Sequence, residues 1–465
     1  MRVCLIIPPS GFLLDERVFP SLGILKVAAA LERRHVVTLC DLSGVQDLDA
    51  IDFPSADIYG LTSTTPQLPF AARIEWLLHQ RFPESRVILG GPHATMVNAA
   101  AKRGVVRALL MRDELCQRFD VVVAGDGERA MSEALRLETK LVDADEPKSS
   151  LFLQMQDDFA ILPARHLLDL DSYHYEIDGE RATSIVAQLG CPFGCGFCGG
   201  RSSPSFRRMR VRSTMSVIEE LEGLYEMYGY KGFMFYDDEL NVSRAFPELL
   251  QALIALQKRL GVKFALRGFV KSELFTEEHA VLMAQAGFKT LLVGFESGCE
   301  RILWNIQKRA TVIENTRCIE LIHKHGMRVK ALMSFGHPGE SNVTITETRD
   351  WLLKVEPDEF DATVITVYPG TPYFDEAHEE QQGTWTYRAP KTHDAIHARP
   401  FSQFQDTLYY KGVPGAYESF VHTDVLSEEE LVALRDQLEQ TVRYHLDLPY
   451  PTADTYDHSM GQHAD

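Results

Sequence analysis

Two hydrophobic rhythms alternate along the chain. Val3 to Pro8, Val36 to Asp41, Ile58 to Thr62, Arg86 to Gly90 and Asp120 to Ala124 are short apolar runs with the composition of buried strands. Leu22 to Leu31 and Phe70 to Phe82 carry apolar residues at helical spacing between them. This alternation predicts a parallel sheet wrapped by helices, an α/β doubly wound, Rossmann-like domain. Each strand ends in a turn of small, polar or glycine residues: PPSG, DLSG, TSTTPQ, GGPH and GDGE. Ligands of doubly wound sheets bind at these carboxyl-end loops, so the recurrence predicts a cofactor site.

The pattern lapses over ETKLVDADEPKSS and resumes at Thr183. Strands are expected at Thr183 to Leu189, Gly232 to Asp237, Val262 to Arg267, Thr290 to Phe295, Arg328 to Phe335 and Thr363 to Val367, with helical stretches between them. Six strand-helix units predict a partial (β/α)6 barrel whose reactive edge is the carboxyl end of its strands. The tail reads as a small, mainly helical domain rich in aromatics, among them Tyr409, Tyr410 and Tyr417. Its last helix starts at about Glu428, where Ser427 and Glu430 supply a capping box and Leu426 with Leu431 a hydrophobic staple. The expected organisation is a doubly wound domain over 1–140, a linker over 141–180, the partial barrel over 181–380 and a C-terminal domain over 381–465 that covers the substrate pocket.

Composition narrows the function classes. The 465 residues are 45% apolar and 24% charged, as in a folded chain of several domains. With 47 basic and 66 acidic residues the net charge is −19, which disfavours nucleic acid and anionic membranes as partners. No apolar run approaches the roughly 18 residues of a membrane span, and Pro8-Pro9 breaks the apolar start, so a cytoplasmic location is expected. Eight cysteines are too sparse for a disulfide scaffold. Cys4, Cys40, Cys116, Cys299 and Cys318 stand alone, Cys299 and Cys318 reading as small buried residues, whereas Cys191, Cys195 and Cys198 cluster.

That cluster, QLGCPFGCGFCGGR, spaces three thiols as C-x3-C-x2-C directly after an expected strand, a spacing that chance seldom produces from so few cysteines. A structural zinc site would need a fourth ligand, for which His166 and His174 are the upstream candidates. Soft thiolates on a glycine-rich loop suit iron-sulfur ligation, and three of them leave one iron open. In the first domain, dinucleotide binding is disfavoured because the first turn is PPSGF and not Gly-x-Gly-x-x-Gly.

The motif, with Phe197 as its aromatic, resembles the signature of the radical S-adenosylmethionine (SAM) superfamily. The resemblance implies a [4Fe-4S] cluster on Cys191, Cys195 and Cys198, with SAM on the open iron. FYDDE at 235–239, Arg267, GFESG at 294–298, FGHPGE at 335–340 and YPGTP at 368–372 are similar to strand-end segments of that superfamily. By resemblance, Phe197 contacts SAM, Glu239 or a neighbouring aspartate faces its amino group, Arg267 pairs with its carboxylate, and Glu296 and Ser297 contact ribose or methionine.

A doubly wound domain ahead of such a barrel resembles the cobalamin-binding branch, through PSLGI at 20–24, GLTSTTPQ at 60–67, LGGPHA at 89–94 and AGDGE at 124–128. The resemblance covers roughly residues 1 to 375 and implies cobalamin contacts from Ser10, Gly11, Thr62, Thr64, Thr65, Pro66, Gln67, Gly90, Gly91, His93, Gly125, Gly127 and Glu128. No Asp-x-His-x-x-Gly is present, which implies base-off cobalamin without a histidine ligand, its nucleotide tail in the sheet and the Thr64 to Leu68 loop under the corrin; His93 is the alternative ligand. The implied enzyme is a cobalamin-dependent radical SAM methyltransferase acting on an unactivated carbon of a small-molecule or peptide substrate, served by an external flavodoxin- or ferredoxin-like electron donor. The alternatives are a non-methylating cyclase, ring-contraction or oxidation enzyme on the same cofactors, a first domain that has lost its cofactor, and a cobalamin or iron-sulfur sensor.

Overall fold

The computed structural model describes residues 1–11, 13, 15–136, 139–154, 161–381, 383–400, 402–405 and 418–449. Tyr409, Tyr410 and Tyr417 lie outside them. The first unit is a six-stranded sheet of β1 (Arg2–Ile7), β2 (Val36–Asp41), β3 (Ile58–Thr62), β4 (Arg86–Gly90), β5 (Val121–Ala124) and β6 (Leu141–Asp143). Its order is β2-β1-β3-β4-β5-β6 and every pairing is parallel. Helices α1 (Leu22–Leu31), α2 (Leu68–Arg81), α3 (Pro92–Lys102), α4 (Val106–Arg118) and α5 (Gly127–Ala134) accompany it. The strands alternate their side chains between two apolar layers. Leu5, Ile58, Ile88 and Val123 pack toward α1 and α5, and Cys4, Tyr59, Leu61 and Leu89 pack toward α2. The chain order reverses between β1 and β3, which makes their carboxyl ends the switch point of the sheet. The sixth strand is short and lies in the charged stretch read as a linker, where three residues give no periodicity to detect.

The second unit begins with the hairpin β7 (Glu176–Ile177) and β8 (Glu180–Ile185), then the short antiparallel pair β9 (Gln188–Leu189) and β10 (Arg210–Val211). β11 (Gly232–Phe235), β12 (Ala265–Phe269), β13 (Phe288–Glu296), β14 (Arg328–Phe335) and β15 (Glu359–Val364) follow. The sheet runs β15-β14-β13-β12-β11-β8-β7, parallel from β8 to β15, with helices such as Thr214–Tyr228 and Phe246–Leu260 between the strands: the partial barrel. β12 starts three residues later than expected, and that shift matters at the site.

The tail adds an antiparallel meander that its aromatic, strand-poor pattern did not suggest: β16 (His378–Gln381), β17 (Thr384–Arg388), β18 (Ala395–Ala398) and β19 (Val421–Thr423). The final helix, Glu428–His445, carries the Ser427–Glu430 capping box. Leu426 and Leu431 are both buried. This helix lies along the open edge of the barrel, where Arg435 Nε donates to the Ala362 carbonyl at 2.7 Å. Among the described residues, no helix is long and apolar enough to cross a membrane.

Three polar links set the two parallel sheets against each other. Asp145, just past β6, accepts from Ser203 Oγ and the Ser205 N–H, each at 2.8 Å. Asp126 pairs with Arg210 at 2.5 Å. Arg107 of α4 lies between the rings of Phe374 and Trp385, at 3.8 and 3.7 Å from their centroids. Within the barrel, Glu220 bridges two buried guanidiniums, Arg165 at 3.2 Å and Arg212 at 2.6 Å, tying the segment before β7 to the helix that follows the cysteine loop. Glu220→Ala would strand both cations in a dry site, so a stability loss of roughly 3–5 kcal/mol is expected in chemical denaturation.

Candidate functional site

The three cysteines lie on the loop between β9 and β10, and acids at the end of β11 hold its start. Asp237 accepts from the N–H groups of Ala187, at 3.0 Å, and Gln188, and Asp238 accepts from that of Gly190 at 2.7 Å. Gly190 has φ +88°, and a Cβ there would collide with the Arg208 carbonyl, so the turn needs glycine. The Cys191 N–H donates to the Phe206 carbonyl and the Gly196 N–H to the Ile306 carbonyl, both at 2.9 Å.

Arg201 threads back through the loop. Its Nη1 donates to the carbonyls of Cys191 at 2.8 Å and Phe193 at 2.6 Å. Burial alone would lower the guanidinium pKa, yet Cys198, Cys191 and Cys195, with Asp238, raise it. Three thiols thus surround one buried cation, a donor set fitted to an anionic iron-sulfur cluster. Neither histidine of the zinc reading is available: His166 bonds Glu32 and His174 bonds Asp15, each at 2.9 Å.

The cysteine loop opens on a cavity of about 610 Å³ that runs between the carboxyl ends of both parallel sheets. On the barrel side, Phe197, Glu239, Lys271, Glu296 and Lys308 line it, and Tyr236, Phe269, Leu332, Met333 and Ile365 make it largely apolar. Burial pushes the Glu239 carboxyl up to about 7, opposed by Lys271 and Lys308, and its Oε2 has no hydrogen-bond partner. A buried, unpartnered carboxylate beside two buried ammonium groups fits a zwitterionic amino acid moiety. Lys271 lies 2.9 Å from Glu273, and its Nζ stands over the Phe193 ring.

Glu296 ends β13 in a left-handed turn, φ +66°. It receives Lys308 Nζ at 2.9 Å and the Ser334 hydroxyl at 2.7 Å. The chain continues inward, with His337 Nε2 at 2.8 Å from Ser334 Oγ and Nδ1 at 3.4 Å from the Tyr373 hydroxyl. Ser334 donates to Glu296, so His337 donates to Ser334 and accepts from Tyr373. Burial lowers the His337 pKa to about 4, which keeps it neutral.

On the other side, Thr62, Gly90, Gly91, Gly125, Gly127 and Glu128 line the cavity. The cavity also enters the first domain between the sheet and helices α1 and α5, past Leu5, Gly23, Lys26, Val27, Gly60, Ile88, Val123 and Met131. Gly60 keeps this slot open: a Cβ there would lie 2.7 Å from Leu5 Cδ2 and 3.0 Å from Met131 Cε. A flat apolar slot leading from the polar, glycine-edged mouth fits a nucleotide tail below a corrin.

The structure does not bring every expected residue to this cavity. Arg267 lies at the opposite, amino-terminal end of the barrel. It is level with Thr290 and, through it, Arg328, the first residue of β14, and it pairs with Glu359 at 3.1 Å. The later start of β12 puts Lys271 where Arg267 was expected. Ser297 is turned away, its hydroxyl 3.0 Å from that of Thr348. Ser10, Gly11, Thr64, Thr65, Pro66 and Gln67 form a shelf behind the lining. Gln67 Nε2 donates to Ser10 Oγ at 2.7 Å, Gln67 Oε1 accepts from the Thr64 N–H at 3.0 Å, and Gly11 lies against Phe70.

His93 is fully buried beside that shelf. Its Nε2 meets Gln403 Oε1 at 3.0 Å and its Nδ1 meets Thr65 Oγ1 at 2.9 Å. Gln403 Nε2 donates to Glu114 at 2.6 Å, which orients the amide and leaves His93 donating through Nε2. Both ring nitrogens are engaged with protein. Among the described residues, none beyond Tyr368 lines the cavity. Sequence reading missed Lys308 and Lys271; only Lys26, alone in an apolar helix, carried a visible signal.

Residues 185–352 match the model of the radical SAM superfamily. An uncharacterized methyltransferase of Pyrococcus horikoshii is 29% identical over 398 residues, 80% of this chain and 82% of that one. The anaerobic magnesium-protoporphyrin IX monomethyl ester cyclase of Cereibacter sphaeroides is 26% identical, over 77% of this chain and 59% of that one. The radical S-adenosylmethionine methyltransferase TsrM from Kitasatospora setae, solved with cobalamin and a [4Fe-4S] cluster bound, superposes with a TM-score of 0.68. That match covers 97% of this chain and 93% of TsrM at 17% identity, and shows the fold.

The raised Glu239 carboxyl has a measurable consequence in the cofactor-free protein. The folded state holds this proton more tightly than the unfolded state, so Glu239 costs stability progressively as pH rises from its ordinary value of 4.5 to about 7. Glu239→Gln, neutral throughout, is expected to gain stability relative to the parent over that window, reaching about 3 kcal/mol at pH 8 in denaturant titrations and vanishing below pH ~4.

Proposed function

We propose, on the match of residues 185–352 to the radical SAM model, that this chain is a cobalamin-dependent radical SAM methyltransferase acting on an unactivated carbon of a small, substantially apolar substrate. One observation carries the reading: a single cavity joins the three-cysteine loop to the carboxyl edge and apolar slot of a Rossmann-like domain. Cys191, Cys195 and Cys198 would hold the cluster. Glu239 would face the SAM amino group, and Lys271 and Lys308 its carboxylate, in place of Arg267. Thr62, Gly90, Gly91, Gly125, Gly127 and Glu128 would face the corrin amides, with the nucleotide tail beside Gly60.

When bound, these groups supply hydrogen-atom abstraction and a transferable methyl group. The chain's own part is placement and exclusion of water. Phe197, Tyr236, Phe269, Leu332 and Met333 wall the space between the two cofactor sites, where reactive species must meet substrate before solvent. Lys308 keeps Glu296 ionised. The Ser334–His337–Tyr373 chain satisfies the remaining carboxylate oxygen, so that end of the wall is fixed before any ligand arrives. The similarity to a cyclase favours a second reading, the same cofactors used without methyl transfer.

The two readings separate on anaerobic reconstitution with iron, sulfide and hydroxocobalamin, followed by reductant and SAM bearing a deuterated methyl group. Methyl transfer predicts labelled methylcobalamin and S-adenosylhomocysteine by mass spectrometry, with 5′-deoxyadenosine that disappears in Cys195→Ala. Deoxyadenosine without labelled methylcobalamin would decide for the cyclase-like reading. Gly60→Leu is expected to assemble the cluster normally yet retain less than a tenth of the cobalamin after gel filtration. Lys271→Met is expected to weaken SAM binding tenfold or more in equilibrium dialysis, as loss of a charge-assisted hydrogen bond is worth roughly 1.5–3 kcal/mol.

A further inference from the structure

The outer face of the cysteine loop carries charge of the opposite sign to the chain. Overall the protein is −19, yet Arg103, Arg207 and Arg208 are all exposed beside this loop. Arg207 Nη2 donates to the carbonyl of Pro192, the residue after the first cysteine, at 3.0 Å. Its Nη1 reaches the carbonyl of Arg201, the buried cation among the thiols, at 3.5 Å. Arg103 Nη1 donates to Ser202 Oγ at 2.7 Å. Arg208 follows directly, its guanidinium 5.8 Å from the centre of the Phe152 ring.

Among the described residues, Arg103 meets one acid at ion-pair distance and Arg207 and Arg208 meet none. Asp375, which lies 3.4 Å from Arg103, is 1% exposed and is already held by Ser202 and the Gly370 N–H. Asp143 is paired with Lys102 at 2.9 Å. A cationic patch on an anionic molecule attracts an anionic partner over a Debye length and orients it. None of the three arginines lines the cavity.

Resting on the radical SAM reading above, we propose that Arg103, Arg207 and Arg208 form the docking surface for an acidic one-electron carrier protein that reduces the cluster. Cys191, Cys195 and Cys198 face the cavity, where SAM and substrate occupy the inner side, so an electron arriving by the outer face crosses only the loop. One electron leaves the carrier, which is oxidised by one, and enters the cluster, which is reduced by one; no bond forms or breaks.

The test is stopped-flow reduction of the reconstituted protein by a fully reduced flavodoxin, followed by loss of cluster absorbance in the visible. Cluster content before mixing reports on the radical SAM reading separately from the rate. Charge reversal in Arg103→Glu/Arg207→Glu/Arg208→Glu is expected to slow the bimolecular step about tenfold or more at low salt and to reverse its salt dependence, the rate then rising with added salt. The corresponding triple lysine variant should keep the parental rate, and Arg349→Glu, which alters net charge at a remote exposed site, should change it less than twofold. Reduction of the charge-reversed protein at the parental rate, or an equal slowing by Arg349→Glu, would overturn the proposal.

Discussion

Two parallel sheets present their carboxyl ends to one cavity, and everything else about this molecule follows from holding them there. At that end of a parallel sheet the strands stop, the backbone turns and side chains converge, so each sheet alone offers half a site. Opposed, they enclose a space whose two walls have separate origins in the chain. The Asp145, Asp126–Arg210 and Arg107 links fix the spacing of those walls, and two of the three join the first domain to the segment that follows the cysteines.

Charge in this interior is arranged so that most of it is matched before a ligand binds. Arg201 answers the thiols, Lys308 answers Glu296, and Asp237 and Asp238 are spent on backbone N–H groups. Glu239, in contrast, keeps an oxygen without a hydrogen-bond partner in a largely apolar wall. Such a group is held at a cost, and the cost falls when a cation takes its place opposite it. The site is therefore electrostatically preorganised on one side and deliberately incomplete on the other.

The parts legible from sequence were those written in local pattern. Cys191, Cys195 and Cys198 declare themselves by spacing; β1 to β5 do so by apolar runs between turn residues; Ser427 and Glu430 mark a helix start through a three-residue rule. What stayed hidden depended on register or on distance in the chain. Arg267 was placed at a strand end because its strand was drawn three residues early, and that slip exchanged the top of the barrel for its bottom. Lys308 meets Glu296 beside a bulge in β13, and His93 finds Gln403 310 residues further along the chain. The meander of the tail, β16 to β19, was masked by polar and aromatic residues that satisfy no single period.

The slot at Gly60 separates the lifetimes of the two halves of the site. It lies between the sheet and two helices, α1 and α5, that touch where Gly127 meets Val27. Whatever is seated there is enclosed by packed secondary structure along its length, whereas a molecule beside Glu239 and Lys271 would be held by polar contacts at loop ends. Such a geometry would make the first domain a lasting mount and the barrel an exchanging bench, many molecules passing through one while the other keeps its occupant.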